Sequence, residues 1–249
     1  MPDRPLENRG VAEASERYVG RWSRPVVRAV LAGLEVPGGG AWADIGCAPG
    51  SVTGFNRARG FVEAARRQIT DARASFKVAD AARLPLASGS GDAAVSGLML
   101  NFVADPAAML REMVRITRPG GVVAAYVWDH AGGMTMMHHF WDVAATVRPE
   151  TAGLDEAERF PLCRPEPLAV LWSQAGLLDV SVSEVATSNV FRDFWTPFLG
   201  GQGAAPTYLA SLAGEAQEEI RAALQAHLRP VPDGSIVLTA RAWAVQGRR

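Results

Sequence analysis

The sequence predicts an α/β fold built on a doubly wound, mostly parallel sheet that ends in an antiparallel hairpin and carries helical lid insertions. Three observations favour this class. Short apolar runs alternate with helical patterns between residues 41 and 129, the joins between them are short, and two strand-like segments stand near the end of the chain. Alternating strands and helices with short joins are typical of right-handed βαβ units.

Each element follows from periodicity and from glycine or proline stops. Apolar residues at helical spacing predict a helix within 11–34 that ends near Gly33, with Pro25 fitting a first-turn position. Further helices are predicted at 61–69, 106–121 and 214–228, and residues 130–178 read as mostly helical. Strands are predicted at 41–50 together with an exit loop, and at 74–80, 92–100, 122–129, 179–187 and 235–247.

The length of 249 residues, about one and a half times the usual domain size, predicts one elaborated domain. We expect a helical cap at 1–36, a ligand-binding core at 41–129, lid segments at 130–178 and 188–234, and a terminal strand at 235–249.

Composition and charge exclude several function classes. Hydrophobic residues make up 48% of the chain and charged residues 20%, which is typical of a globular protein. A formal net charge of −1 leaves no surplus for binding many phosphates, so nucleic acid and anionic membranes are disfavoured as partners.

Cysteine usage and the N-terminus suit a cytoplasmic, bacterial protein. Two cysteines, Cys47 and Cys163, can form neither a disulfide framework nor a four-thiolate zinc site. Residues 1–20 lack an apolar signal region, and the chain has no apolar run of about 18 residues. Arginine outnumbers the single Lys77, as is common in GC-rich bacterial genomes.

The sharpest motif is the glycine-containing loop DIGCAPG at 44–50, which follows the first strand. Glycines let backbone N–H groups approach a ligand closely, although an ordinary tight turn also uses them. With Asp80, the apolar strand to Leu100 and the helix stop RPGG at 118–121, this loop resembles the class I S-adenosylmethionine-dependent methyltransferases. The resemblance is nearest to the small-molecule branch that includes the ubiquinone/menaquinone-biosynthesis enzymes.

The resemblance implies a Rossmann-like fold, S-adenosylmethionine as cofactor and S-adenosylhomocysteine as its product. Asp80 would bind the adenine amino group, which suits an acceptor-only carboxylate; as an alternative, it caps the following turn. The cofactor-binding residues implied are Asp44, Gly46, Cys47, Ala48, Gly50, Asp80, Ala81, Ser96, Gly97, Leu98 and Arg21.

The acceptor side is expected in the aromatic and histidine-rich segments. His138 is the candidate general base, because imidazole titrates near neutral pH, although a histidine on a helix surface is commonplace. No metal is expected, since adjacent histidines on a helix point in different directions. Candidate substrate-binding residues, which could equally be core residues, are Tyr18, Trp22, Asn101, Trp128, His139, Trp141 and Trp195.

Two departures from the family pattern keep other functions open. The APG in the glycine loop is familiar from RNA methyltransferases. Only residues 51–60 are available for a second strand and its ribose-binding acid, so both are predicted to be missing. A deletion, a loss of cofactor binding or an omission of residues between Gly54 and Phe61 would explain this.

The sequence therefore predicts methyl transfer to a small, apolar or aromatic acceptor by in-line displacement. An RNA methyltransferase and a non-catalytic binding protein with this fold are the alternatives. The acceptor atom and the oligomeric state stay open.

Overall fold

A computed structural model describes residues 19–46, 53–200 and 203–249. The helices are α1 (Arg21–Gly33), α2 (Arg59–Gln68), α3 (Pro106–Ile116), α4 (Thr135–Val147), α5 (Glu156–Arg159), α6 (Pro165–Gln174), α7 (Ala204–Ala210) and α8 (Gly214–His227). The strands are β1 (Trp42–Ile45), β2 (Thr53–Asn56), β3 (Ser75–Val78), β4 (Gly91–Gly97), β5 (Thr117–Trp128), β6 (Leu178–Phe191) and β7 (Ile236–Arg248). Short 3-10 turns lie at Leu100–Phe102, Pro149–Thr151, Pro161–Cys163 and Thr196–Gly200.

The seven strands form one sheet in the order β3-β2-β1-β4-β5-β7-β6. Strands β1 to β5 pair in parallel. β7 runs antiparallel to both β5 and β6, so the terminal hairpin closes the sheet. The predicted fold class, including this antiparallel finish, is confirmed.

The prediction that the second strand is missing is wrong. β2 pairs with β1 in parallel, Asp44 opposite Gly54 and Ile45 opposite Phe55. It also pairs with β3 over all four of its residues. Seven residues separate the two strands, where a helical crossover needs about a dozen or more. The strand went unrecognised because it is only four residues long and lies where a helical crossover was expected.

Several boundaries differ from the prediction. Pro25 lies in the fifth position of α1, just past the first turn. α3 ends at Ile116 rather than at the glycines, because β5 already begins at Thr117. β4 ends at Gly97, since Leu98 turns the chain with φ of +57°. β6 continues to Phe191, four residues beyond the predicted strand.

The core lies on both faces of β5, as a central strand of a doubly wound sheet requires. Val123, Ala125 and Val127 face a cluster that includes α3 and α6. Tyr126 and Trp128 face the cluster formed by α1, α4 and α8. Because α4 and α8 pack onto the same face as α1, the segments after β5 cover one end of the sheet. No helix among the described residues is long and apolar enough to cross a membrane.

Candidate functional site

The carboxyl ends of β1, β2, β3 and β4 meet at one edge of the sheet. Gly46 follows β1, and its N–H donates to the carbonyl of Phe55 at 2.6 Å, so Asn56 lies beside Gly46. The N–H of Ala79 donates to the carbonyl of Asn56 at 3.2 Å, which brings the segment before Asp80 to the same edge. Open parallel sheets bind ligands at this edge.

Asn56 occupies the place of the expected ribose-binding acid, the last residue of β2. Its side-chain Oδ1 accepts a hydrogen bond from the N–H of Ala58 at 2.9 Å, which fixes the turn into α2. An amide can both donate and accept hydrogen bonds, although it lacks the charge of a carboxylate. Sequence reasoning missed this residue because it missed β2.

Gly46 requires glycine for two reasons. Its φ is +91°, in the left-handed region that favours glycine, and an added Cβ would lie 2.9 Å from Cβ of Met99. Met99 thus packs directly against the start of the glycine loop. Asp44 lies two residues earlier in β1 and is partly buried. The predicted residues Cys47, Ala48 and Gly50 lie outside the described residues.

Gly97 ends β4 in close contact with Tyr126, because an added Cβ would lie 2.8 Å from Cε1 of the tyrosine ring. Burial and the nearby carboxylate of Asp44 raise the pKa of the Tyr126 phenol above its usual value, so the ring stays neutral. The neighbouring Ser96 is fully buried and its Oγ has no hydrogen-bond partner. The N–H of Leu98 donates to the Tyr126 carbonyl at 2.8 Å.

Asp80 adopts the turn-forming arrangement that its alternative interpretation anticipated. Its Oδ1 accepts from the N–H of Ala82 at 2.9 Å, and its carbonyl accepts from the N–H of Arg83 at 3.0 Å. The carboxylate is nonetheless exposed at the binding edge, with Ala81 buried beside it. One oxygen serves the turn, and the other is available to an adenine amino group.

Two of the N-terminal candidates, Arg21 and Trp22, lie in α1. Tyr18 lies outside the described residues, and Arg21 is the first residue of α1. Trp22 is fully buried, its ring centroid 5.1 Å from that of Phe191, and its indole N–H has no hydrogen-bond partner. Trp128 is buried in the same core cluster at the end of β5.

Three unpartnered polar atoms lie at the ends of β4 and β5 and on α4. Oδ1 of Asn101, Nδ1 of His130 and Nε2 of His138 are all buried without a hydrogen-bond partner. Buried polar groups are nearly always paired in native proteins, so each of these atoms needs an explanation. Asn101 and His138 were predicted from the sequence, whereas His130 was not.

His139 and Trp195 lie further out, in the segments after β5. Nδ1 of His139 lies 3.1 Å from Nε2 of His227, which joins α4 to α8. Burial and the neighbouring His227 lower the pKa of His139. Trp195 is partly buried against Phe198, with 6.3 Å between ring centroids. A small apolar cavity in this region is lined by Met136, His139, Phe194, Phe198, Leu224, Leu228 and Leu238.

Trp141 is buried, and its indole N–H donates to Oε2 of the buried Glu156 at 2.8 Å. The other carboxylate oxygen accepts from the N–H of Ala204 at 3.3 Å. Glu156 therefore ties α4, α5 and α7 together. This hydrogen bond gives Trp141 a structural role, and its part in substrate binding stays a prediction.

No cluster of three or more histidine, cysteine or acidic side chains suited to a metal occurs in the part of the chain that the structure describes. The nearest approach to such a group lies after β5. There Asp129 is paired with Arg241, whose Nε donates to Oδ2 at 2.7 Å, while Cys163 is a buried free thiol. Burial, together with the carboxylate of Asp129, raises the pKa of this thiol.

Comparison with known proteins supports a methyltransferase. Residues 35–125, which are 91 of the 249, match the family model described as a methyltransferase domain. The chain is 36% identical over 101 residues to the tRNA (carboxymethyluridine(34)-5-O)-methyltransferase ALKBH8 of Macaca fascicularis, covering 37% of this chain and 15% of the relative. It is 30% identical over 114 residues to the ubiquinone/menaquinone biosynthesis C-methyltransferase UbiE of Desulfotalea psychrophila, covering 41% and 45%. The chain thus spans less than half the length of either relative.

The fold matches that of solved methyltransferases. Phosphoethanolamine N-methyltransferase 2 of Haemonchus contortus, in complex with S-adenosyl-L-methionine, superposes with a TM-score of 0.54 at 17% identity, over 96% of this chain and 57% of that one. At this identity the likeness establishes the fold. The matched region, 35–125, coincides with the strands whose carboxyl ends form the binding edge.

Proposed function

We propose that this chain, whose residues 35–125 form a class I methyltransferase domain, transfers a methyl group from S-adenosylmethionine to a small, apolar or aromatic acceptor. The observation that carries the proposal is the shared edge at which Gly46, Asn56 and Gly97 end three adjacent strands. Gly46 and Gly97 lack room for a Cβ because Met99 and Tyr126 pack directly against them, which fixes the backbone at this edge.

The residues present fit the cofactor. Asp44 and Gly46 would hold its methionine part, Asn56 the ribose hydroxyls and Asp80 the adenine amino group. Ser96, whose Oγ is buried without a partner, precedes Gly97 and would line the same site. When bound, S-adenosylmethionine supplies a methyl group activated on a sulfonium sulfur. Support for this cofactor also comes from its presence in the H. contortus structure.

The chain's own residues act mainly by positioning and by excluding water. α4 and α8 pack with α1 into one core cluster on the face of β5 that carries Tyr126 and Trp128. Alignment of reactants in such a covered site is worth roughly 7–11 kcal/mol in favourable cases. The apolar and aromatic side chains of this cluster favour an acceptor of the same character.

An RNA acceptor is the second candidate, because ALKBH8 acts on tRNA and is 36% identical over its matching stretch. The net charge of −1 argues against it, since phosphate binding relies on a basic surface. Retention on a polyanion column separates the two candidates. Strong retention at low salt would favour RNA, and its absence would favour a small molecule.

The test of the proposed function is calorimetric titration with S-adenosylmethionine and S-adenosylhomocysteine. Micromolar affinity, about −8 kcal/mol, is expected for a working site. Asn56→Asp should bind about tenfold more tightly, because a charged acceptor makes stronger hydrogen bonds to the ribose hydroxyls. The substituted carboxylate can still accept from the N–H of Ala58, so the local fold is kept.

Asp71→Asn is the matched control, since Asp71 pairs with Arg73 in an exposed turn away from the binding edge. It should leave both affinities unchanged. A folded wild-type protein that binds neither ligand would contradict the proposed function. Equal affinities for wild type and Asn56→Asp would remove Asn56 from the ribose site.

A further inference from the structure

We propose that His130 accepts the proton from the acceptor molecule, and that this acceptor is a hydroxylated aromatic compound. The inference rests on the proposed function and adds to it a catalytic residue and the methylated atom, a hydroxyl oxygen. It is carried by the buried, unpartnered Nδ1 of His130 after β5 and by the rings of Phe160 and Phe102, which pack in turn beside the His130 ring.

His130 follows β5 by two residues, at the edge of the sheet where the cofactor site lies. The residue is 6% exposed, and its Nδ1 has no hydrogen-bond partner. An unpartnered buried polar group costs about 1–3 kcal/mol. A ligand hydroxyl that bonds to Nδ1 would relieve this cost, which accounts for a histidine at this position.

The surroundings of His130 suit an aromatic ring with hydroxyl groups. Its ring centroid lies 5.4 Å from that of Phe160, and Phe160 in turn packs edge-on against Phe102 at 5.2 Å. Phe102 is 69% exposed, although it is a large apolar side chain. The preceding residue in the chain, Asn101, has a buried Oδ1 without a donor, and we assign to it a second hydroxyl of the acceptor.

The backbone around His130 is fixed by its neighbours. Oδ1 of Asp129 accepts from the N–H groups of Ala131 at 3.0 Å and Gly132 at 3.2 Å. The N–H of His130 itself donates to the carbonyl of Trp128 at 3.0 Å. A base whose backbone is held in this way keeps its ring in place for proton transfer.

The charge state of His130 matches this role. Burial, with a contribution from His138, lowers its pKa to about 4, and the carboxylate of Asp129 opposes the shift. The buried thiol of Cys163, with its raised pKa, stays neutral as well. At neutral pH the imidazole is therefore uncharged, and its lone pair is available to accept a proton.

The proton balance is complete without another reactant. The acceptor O–H bond breaks and its proton forms an N–H bond with His130. The acceptor oxygen forms the new O–CH3 bond as the S–CH3 bond breaks, and the electron pair of that bond stays on sulfur. The positive charge thus passes from sulfur to the imidazolium, which then releases its proton to solvent.

Because Nδ1 is buried, the acceptor reaches it only when a neighbouring side chain moves, and the proposal assigns this movement to Phe160, whose ring contacts that of His130. Phe160 joins the short helix α5 to the 3-10 turn Pro161–Cys163. Closure of the ring over a bound acceptor would then exclude water from the reacting atoms. This requirement makes Phe160 a specificity-determining residue of the same site.

The test uses histidine-labelled protein saturated with S-adenosylhomocysteine and titrated with catechol, a ring with two hydroxyls. The Nδ1 resonance of His130 should shift on titration, while that of the exposed His227 should not. The His130→Asn variant should bind S-adenosylhomocysteine with an affinity within about twofold of the wild-type value. Failure of the wild type to bind S-adenosylhomocysteine would overturn the proposed function itself.

Methyl transfer provides the second readout. With S-adenosylmethionine and catechol, His130→Asn should lower kcat roughly 10²–10⁴-fold, the range for loss of a general base. His138→Asn tests the rival candidate base on α4 and should lower kcat less than His130→Asn does. The inference is overturned if catechol leaves the His130 resonance unchanged, if catechol is not methylated, or if His138→Asn is the more damaging variant.

Discussion

The buried, uncharged state of His130 has a measurable consequence for stability. Its pKa is lowered to about 4 in the folded protein, while an unfolded histidine titrates near 6.5. Between these values the unfolded chain binds a proton that the folded protein does not, so folding becomes less favourable as pH falls. The contribution of His130 is therefore complete above pH 6.5 and is lost as pH decreases towards 4.

The expected magnitude follows from linkage. Each pH unit inside that interval changes the free energy of unfolding by about 1.4 kcal/mol, so lowering pH from 8 to 5 removes about 2 kcal/mol through this residue. His130→Asn cannot titrate and should lose about 2 kcal/mol less than the wild type over the same range. Urea unfolding of both proteins at matched pH measures this difference.

Subtraction of the two curves removes the other titrating groups. His139, whose pKa is also lowered, and the carboxylates contribute to both proteins alike. The difference between wild type and His130→Asn then reports His130 alone. Parallel pH dependence in the two proteins would refute the argument, because it would mean that His130 titrates near its normal pKa in the folded state.

Two substitutions test the packing of the site. Gly97→Ala should destabilise the protein by roughly 1–3 kcal/mol in urea unfolding, because the added Cβ would meet the buried Tyr126 ring. Gly33→Ala is the control, since a Cβ there meets nothing within 4 Å. Equal stabilities of the two variants would contradict the predicted clash. Trp141→Phe should cost roughly 1–3 kcal/mol in the same assay, since it leaves Oε2 of Glu156 buried without a donor. An unchanged midpoint for this variant would mean that the hydrogen bond adds nothing to the stability of the covering helices.

The architecture could be predicted because its signals are local. Near-continuous apolar runs predicted β4 and β5, which are buried on both faces, and their order with α3 predicted the parallel sheet. The terminal hairpin followed from two strand-like segments with one inserted helix between them. The predicted ends of helices and strands were less accurate, because contacts between distant segments decide them. β5, for example, begins at Thr117, which pairs with Gly91 of β4.

β2 could not be predicted because nothing local marks it. Four residues, TGFN, contain one large apolar side chain, and the strand exists because β1 and β3 offer hydrogen bonds on both sides. Because β2 ends at Asn56, this residue lies where the ribose-binding acid was expected. The predicted absence of a ribose site is therefore replaced by a proposed ribose site whose side chain, Asn56, is an uncharged amide.

The choice between His130 and His138 as the general base could not be made from the sequence either. In the sequence, His138 is as plausible a base as any helical histidine near the acceptor side, and His130 is merely the residue after an aspartate. Both histidines have a buried ring nitrogen without a partner, and His130 differs in being nine-tenths buried and in packing against the ring of Phe160. A missing partner is a property of three-dimensional packing, so it leaves no trace in spacing or composition. A ligand that completes the unpaired group would offset the cost of burying it, and the methyl acceptor is the ligand that we propose for this edge of the sheet.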